Sequence, residues 1–364
     1  MVYFMFYVVG VLFFIFFMFL TLIFYKYLYK VCEKLNININ INKNILCVIS
    51  IIIFYGSLVV GMMNKYVSVV LVFILYTILL FLVVMLFYKL LMKYKWFYKY
   101  YLLIPVILSF LFTCYGVYNM YNIDGKSYNI STNNKLNNEY KGILISDLHY
   151  GLGVKGKGLF NVVDEINKLN PDFIFLVGDI VDENTTLDEM KECFKILGNF
   201  KTNYGIFYSY GNHDENIYSN SKNYNKNILR DNILLNGINI LEDSSYRIND
   251  ELTIIGRSNG YKKSIEEVVN DTNNDDYKIL LAHIPIDYKS AKDNNIDLML
   301  SGHTHAGQVF PVKIFEETFN TSEMIYGYES DGNFQKVVTS GIAGWGMPVR
   351  TDYHSEYVIL NIKE

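Results

Sequence analysis

The first 118 residues carry four long apolar runs, Val2–Tyr25, Ile45–Met63, Tyr66–Met92 and Tyr101–Tyr118. Each reaches or approaches the roughly 20 apolar residues that cross a bilayer as a helix. The only charged side chain inside them is Lys89, near the end of the third run, where its long stem can carry the ammonium to the interface. Helices of a soluble core would show a polar stripe, and none is visible here. The first run has no basic segment before it and no small-residue cleavage site after it, so it does not read as a removable signal. Residues 1–118 are therefore expected to form a four-helix transmembrane region.

From Asn119 to Tyr140 the sequence turns polar and Asn-rich, which predicts a linker. Beyond it, over 141–364, short apolar runs alternate with helix-like stretches. The runs are GILIS (Gly142–Ser146), FIFLV (Phe173–Val177), IFYSY (Ile206–Tyr210), KILLA (Lys278–Ala282) and LMLS (Leu298–Ser301), with LTIIG, KVVTS and YVILNI as further candidates. Continuous hydrophobicity of this kind suits strands covered on both faces. Between the first two runs, Leu159, Val162, Val163, Ile166 and Leu169 recur at helical spacing before Pro171. A second helix is predicted from Leu187, Met190, Phe194 and Leu197, with Gly198 as its C-cap. The region is an α/β domain long enough for a substantial core. Alternating Asn and Ile over Asn36–Asn42 looks like a strand, but the whole chain is rich in both residues and the stretch is read as composition.

Charge separates the two parts. Residues 1–120 hold nine lysines and one acid, Glu33, a net of +8; the whole chain is −4, which leaves −12 for the rest. So acidic a domain is not an electrostatic nucleic-acid binder. Lys26, Lys30, Lys34 and Lys43 lie between runs one and two, and Lys89, Lys93, Lys95 and Lys99 lie around the connection from three to four. Lysine-rich loops stay in the cytoplasm, which predicts an extracytoplasmic domain after the fourth run. The four cysteines form no CxxC pair and suggest no disulfide framework.

Chemistry concentrates where the runs end. GILIS leads into Asp147 and His149, FIFLV into Asp179 and Asp182, IFYSY into Asn212, His213 and Asp214, KILLA into His283, and LMLS into His303 and His305. Five of the six histidines thus follow a predicted strand. α/β sheets bind ligands at their strands' carboxyl ends, so these groups should meet at one rim. Imidazole, carboxylate and amide oxygens without a thiolate suit Mn, Fe, Zn or Co. So many candidate ligands exceed what one ion needs and suit two divalent ions. A literal GxGxxG at Gly151–Gly156 competes for attention, but Asp147–Tyr150 separate it from the strand, and a dinucleotide site would leave five histidines unexplained.

The series D-x-H, G-D, G-N-H-D, H and G-H-x-H resembles the calcineurin-like metallophosphoesterase superfamily, all five blocks standing in order across Asp147–His305. DLHYG and GHTHAGQ look most like its bacterial membrane-anchored phosphodiesterase-type branch. The resemblance implies a two-sheet α/β sandwich. It also implies one metal held by Asp147, His149 and His305, a second by Asn212, His283 and His303, and Asp179 as the bridge. His213 would donate a proton to the leaving oxygen or stabilise charge, with Asp214 fixing its tautomer and Asp182 supporting the ligands from behind. Gln308 and Arg350 are expected to touch substrate; His354 matches no block. The branch commonly places an arginine after the serine of its late segment, whereas here Gly341 follows Ser340. Likewise GDIVDEN lacks the arginine of the protein phosphatases' GDxVDRG, which favours a phosphodiester over a phosphomonoester. A membrane position points to a phospholipid or cell-envelope substrate. The competing reading is a non-enzymatic membrane sensor or assembly protein that retains the metal-binding domain.

Overall fold

The computed structural model describes residues 2–35, 43–215, 218, 223–258 and 260–364; Asn36–Asn42 lie outside them. The chain divides into two units, residues up to Tyr115 with Gly346–Pro348, and Gly116–Trp345 with Val349–Glu364.

The N-terminal unit is built from helices α1 (Val2–Lys34), α2 (Lys43–Met63), α3 (Lys65–Leu91), the short α4 (Lys95–Tyr100) and most of α5 (Leu103–Tyr121). Among the described residues four stretches, Ile15–Lys34, Asn44–Gly61, Lys65–Leu91 and Leu103–Tyr121, are long and apolar enough to cross a membrane. At 1.5 Å per residue α3 extends about 40 Å, more than the roughly 30 Å hydrocarbon layer. Tyr27, Phe54, Ile74, Ile78 and Phe81 form its interior. The outward positions are apolar as well, Ile52 and Leu86 being exposed, which water would penalise and lipid would not. Asn64 separates α2 from α3 by accepting the Tyr66 amide at 2.9 Å, a side-chain cap that starts the new helix.

The C-terminal unit begins with the last turns of α5 and continues through β1 (Ile123–Ser131), β2 (Tyr140–Ile145), α6 (Lys157–Asn167), β3 (Phe173–Val177), α7 (Leu187–Leu197), β4 (Gly205–Ser209), α8 (Lys226–Leu235), β5 (Ile238–Ile240), β6 (Ser244–Arg247) and β7 (Leu252–Gly256). It is completed by α9 (Ile265–Val269), β8 (Tyr277–Leu281), α10 (Tyr288–Asp293), β9 (Leu298–Ser301), α11 (Val312–Phe319), β10 (Gly327–Asp331), β11 (Phe334–Val338) and β12 (Ser355–Lys363). Two six-stranded sheets result, ordered β1-β12-β2-β3-β4-β5 and β10-β11-β9-β8-β7-β6. Their centres are parallel, β2 through β5 in one and β7, β8, β9 and β11 in the other.

The period-two geometry of strands explains how the continuous apolar runs are used. Phe173, Phe175 and Val177 face the other sheet, where they meet Ile279, Leu281, Leu298 and Leu300. Ile174 and Leu176 face outward, beneath Leu159, Val163 and Ile166 of α6 and Met190, Phe194 and Leu197 of α7. Met299 and Leu280 are covered in the same way by Ile265 of α9 and Ala291 of α10. Both faces of each central strand are therefore buried, and the strand ends that carry the histidines are fixed by the core.

Two details differ from the sequence reading. The Asn-rich stretch expected as a linker contains β1, which pairs in parallel with β12 over nine positions. Most of its side chains are exposed, so its polar sequence gives no strand signal, and the backbone ladder supplies the pairing instead. Gly198 closes α7 with φ −64° rather than in the left-handed conformation. Glycine is needed there because a Cβ would lie 2.7 Å from the Asn236 carbonyl oxygen.

Candidate metal centre

The carboxyl ends of β2, β3, β4, β8 and β9 release Asp147, Asp179, Asn212, His283 and His303 within two to three residues of the last paired position. Two donor groups result. Asp147, His149 and His305 offer ligand atoms all within 4.8 Å of one another, and so do Asp179, His283 and His303. Asp179 joins them: its Oδ2 is 2.9 Å from His283 Nε2 and 3.9 Å from His149 Nε2. Asp147 Oδ1 reaches toward both as well, 3.5 Å from His305 Nε2 and 4.0 Å from His283 Nε2. Asn212 follows β4, and its Oδ1 is buried with no hydrogen bond.

The backbone of this rim is strained. Asp147, His149, Asp179, His303 and His305 all have positive φ, between 39° and 73°. Left-handed backbone disfavours β-carbons by roughly 1–2 kcal/mol per residue, and such strain gathers at functional sites. The motif glycines have a steric reason. A Cβ on Gly211 would lie 2.2 Å from Asp179 Oδ1, and one on Gly302 would lie 2.2 Å from Asp147 Oδ2. The glycines of the G-N-H-D and G-H-x-H blocks are thus the space in which the two carboxylates sit.

Electrostatically the rim gathers buried imidazoles and carboxylates whose charges are set by one another. Burial disfavours the charged form of His283, yet Asp179 and Asp147 outweigh it and raise this imidazole to about 10. Burial and the His283 charge hold His303 down to about 4. Burial likewise keeps His305 neutral, with His149 adding to the effect. Asp179 resists burial only because His283, His149 and His213 surround it, and its carboxyl is held far below the usual range. The Nδ1–H of His283 donates to the Val177 carbonyl at 2.8 Å, which fixes the tautomer and leaves Nε2 for the centre. Uncommitted donors of this kind, His305 Nδ1 and Asn212 Oδ1 included, fit hard-to-borderline divalent ions.

Asp182 Oδ2 stands 3.4 Å behind His149 Nδ1. His213 lies beside His149, ring centres 5.3 Å apart. Its Nδ1 partner, however, is Glu183 at 2.9 Å, not Asp214. Asp214 is fully buried and instead accepts the amides of Asp179, Ile180, Val181 and Gly211. It pins the β3 and β4 ends together, and burial next to Asp179 lifts its carboxyl to about 6. Arg350, expected at the substrate, is wholly buried. Its guanidinium donates to the carbonyls of His305, Gly341, Ser340 and Ala343. Gln308 is turned toward the backbone of Trp345 and Val349 in the same way. Both hold the loops of the rim in place. His354 is outside the cluster, half exposed near Asp124.

Sequence reasoning missed Glu183 and Trp345, whose ring centre is 5.3 Å from that of His213. The acid was visible as the residue after Asp182, four residues beyond the G-D block. Nothing in the local sequence around Trp345 announced it.

Two facing sheets with helices outside, and imidazole, carboxylate and amide donors gathered at the strand ends, define a metallophosphoesterase-type domain. Residues 141–307 match the calcineurin-like phosphoesterase family model. An uncharacterized metallophosphoesterase of Helicobacter pylori is 33% identical over 236 residues, covering 63% of this chain and 61% of its own. A transmembrane protein with metallophosphoesterase domain from Danio rerio is 30% identical over 244 residues, covering 61% and 53%. The chain thus spans about three fifths of the first relative's length and about half of the second's. A solved dimetal phosphatase from Danio rerio aligns with 62% of this chain and 93% of its own at 11% identity and TM-score 0.39.

Proposed function

We propose that this protein is a membrane-anchored phosphoesterase that cleaves a phosphodiester with the help of two divalent ions. The observation that carries the reading is the pair of donor groups sharing Asp179. Asp147, His149 and His305 would hold one ion, Asn212, His283 and His303 the other, and Asp179 would bridge. Bound ions would lower the pKa of a water and offset charge on the phosphate. Asn212 ligates without adding negative charge, which leaves the centre net cationic toward an anionic ester. His213 is placed to pass a proton to the leaving oxygen, and Glu183 orients its ring. Trp345 lies beside His213, its ring centre 5.3 Å away.

A diester fits better than a monoester because no arginine follows the second block to clamp additional phosphate charge; Arg350 is committed to carbonyls. The apolar helices support a substrate at a bilayer, a phospholipid or envelope-linked ester, and the lysine-rich connections favour an extracytoplasmic domain. Full-length protein supplied with Mn²⁺ should hydrolyse an aryl phosphodiester, and His213→Ala should retain the ions while losing most turnover. Equal, background-level rates for both would overturn the hydrolytic role. An impermeant amine reagent on intact cells should label Lys289, which is 90% exposed; labelling only after lysis would reverse the assigned side.

A further inference from the structure

Helix α11 is amphipathic in the opposite sense to the other helices of its unit. Val312, Ile314, Phe315 and Phe319 are exposed, Phe319 at 72%, and Phe310 just before them is exposed too. Lys313 and Glu316 face the protein, while Glu317 and Thr318 are exposed. Lys313 Nζ reaches the Tyr353 hydroxyl at 2.7 Å and lies over that ring, and Glu316 has a buried carboxylate oxygen. No residue of α11 is buried. Water disfavours this arrangement, and contiguous apolar patches on such a surface mark docking sites.

The surroundings identify the occupant. Gly116–Tyr121, the end of the last membrane-crossing helix, belong to this same unit. The Gly116 carbonyl accepts the Arg350 amide at 2.9 Å, and a Cβ on Gly116 would strike Val349 and Thr351. Thr351 in turn donates its amide to Gln308 and accepts the Phe310 amide. The segment carrying α11 is therefore tied to the point where the chain leaves the bilayer. At this same end α11 packs on Gly307, where a Cβ would lie 2.6 Å from the Lys313 amide nitrogen, two residues beyond His305. The half-exposed Trp345, next to His213, lies on the Gln308 side chain.

We infer that the outward face of α11, with Phe310 and Trp345, inserts into the bilayer interface and presents the metal rim to phosphate esters in the headgroup layer. The insertion rests on the membrane helices; only its consequence for substrate rests on the proposed hydrolysis. The patch has aromatic and aliphatic side chains and no outward basic residue on α11, so apolar area rather than anionic lipid drives it.

Full-length protein in phosphatidylcholine nanodiscs provides the test. Phe315→Trp in a Trp96→Phe, Trp345→Phe background should be quenched by lipids brominated on their acyl chains and shielded from aqueous iodide. Tyr246→Trp, at an exposed edge strand, should show the reverse. A tryptophan at 315 open to iodide would overturn the inference. Shielding from both quenchers would mean a protein partner or second copy, and would overturn it equally. The double variant F315D/F319D should lose at least about tenfold in turnover of a vesicle-borne phosphodiester, with an unchanged rate on a soluble aryl diester. If wild type cleaves neither substrate, the hydrolytic reading fails while the quenching result still decides the docking.

Discussion

Gly302→Ala tests the centre with one carbon atom. Gly302 has no left-handed φ, so alanine's backbone preferences are not at issue. The added Cβ would stand 2.1 Å from Ser146 Oγ and 2.2 Å from Asp147 Oδ2, where real Cβ contacts do not fall below 3.0 Å. Asp147 must retreat by about 0.8 Å, several times the ~0.2 Å tolerance of a metal–ligand distance. Ser146 cannot yield easily, because its hydroxyl donates to the Val177 carbonyl at 2.6 Å. A ligand misplaced by nearly an ångström should reduce kcat/KM about 100-fold, or about 2.7 kcal/mol of transition-state stabilisation. It should also weaken affinity for the ion at Asp147, measured by titration calorimetry on metal-stripped protein. Unchanged metal affinity and turnover in a variant that melts like wild type would show that Asp147 does not hold an ion, and the assignment would fall.

Other outcomes follow from the same geometry. Glu183→Gln should lower kcat by about tenfold or more while metal content and KM hold, because it loosens only the ring of His213; loss of metal instead would place Glu183 among the ligands. Arg350→Lys should lower the melting temperature, since an ammonium cannot satisfy the carbonyls the guanidinium fork reaches, and should leave KM unchanged; a raised KM in a fully stable variant would restore the substrate role. Chelation should abolish turnover and lower thermal stability, with both restored by Mn²⁺, because ions bound only to the folded state stabilise it. Finally, burial opposes ionisation of Asp276, but Arg247 and Thr253 outweigh it and hold the carboxyl below its usual range. That pair should stabilise the fold above roughly pH 4 and lose its effect as pH falls through the depressed value; Asp276→Asn should flatten this part of the stability-against-pH curve.

The sequence made the centre legible because strands buried on both faces must be apolar along their whole length. FIFLV and LMLS therefore mark where a strand stops and chemistry begins. The candidate positions follow from that rule; which of them would hold the two ions was implied by the resemblance to the calcineurin-like metallophosphoesterases. What escaped is decided by contacts across the fold. β1 is held by β12 at the other end of the chain, and its exposed polar side chains carry no trace of the pairing. Asp214 stands next to His213 in sequence, yet the turn directs it to the amides after β3, while Glu183, thirty residues earlier, reaches the imidazole. Arg350 had the charge for a phosphate contact, but it is buried under loops whose carbonyls required a donor.

The left-handed backbone at Asp147, His149, Asp179, His303 and His305 bears on what a population of variants would become without demand for chemistry. Glycine adopts these angles freely, so a library screened only for solubility and melting temperature should drift toward Gly at these sites and gain ruggedness as it lost its ions. Aspartate and histidine at such angles are the least comfortable answer to a folding problem, and their presence together records a different criterion.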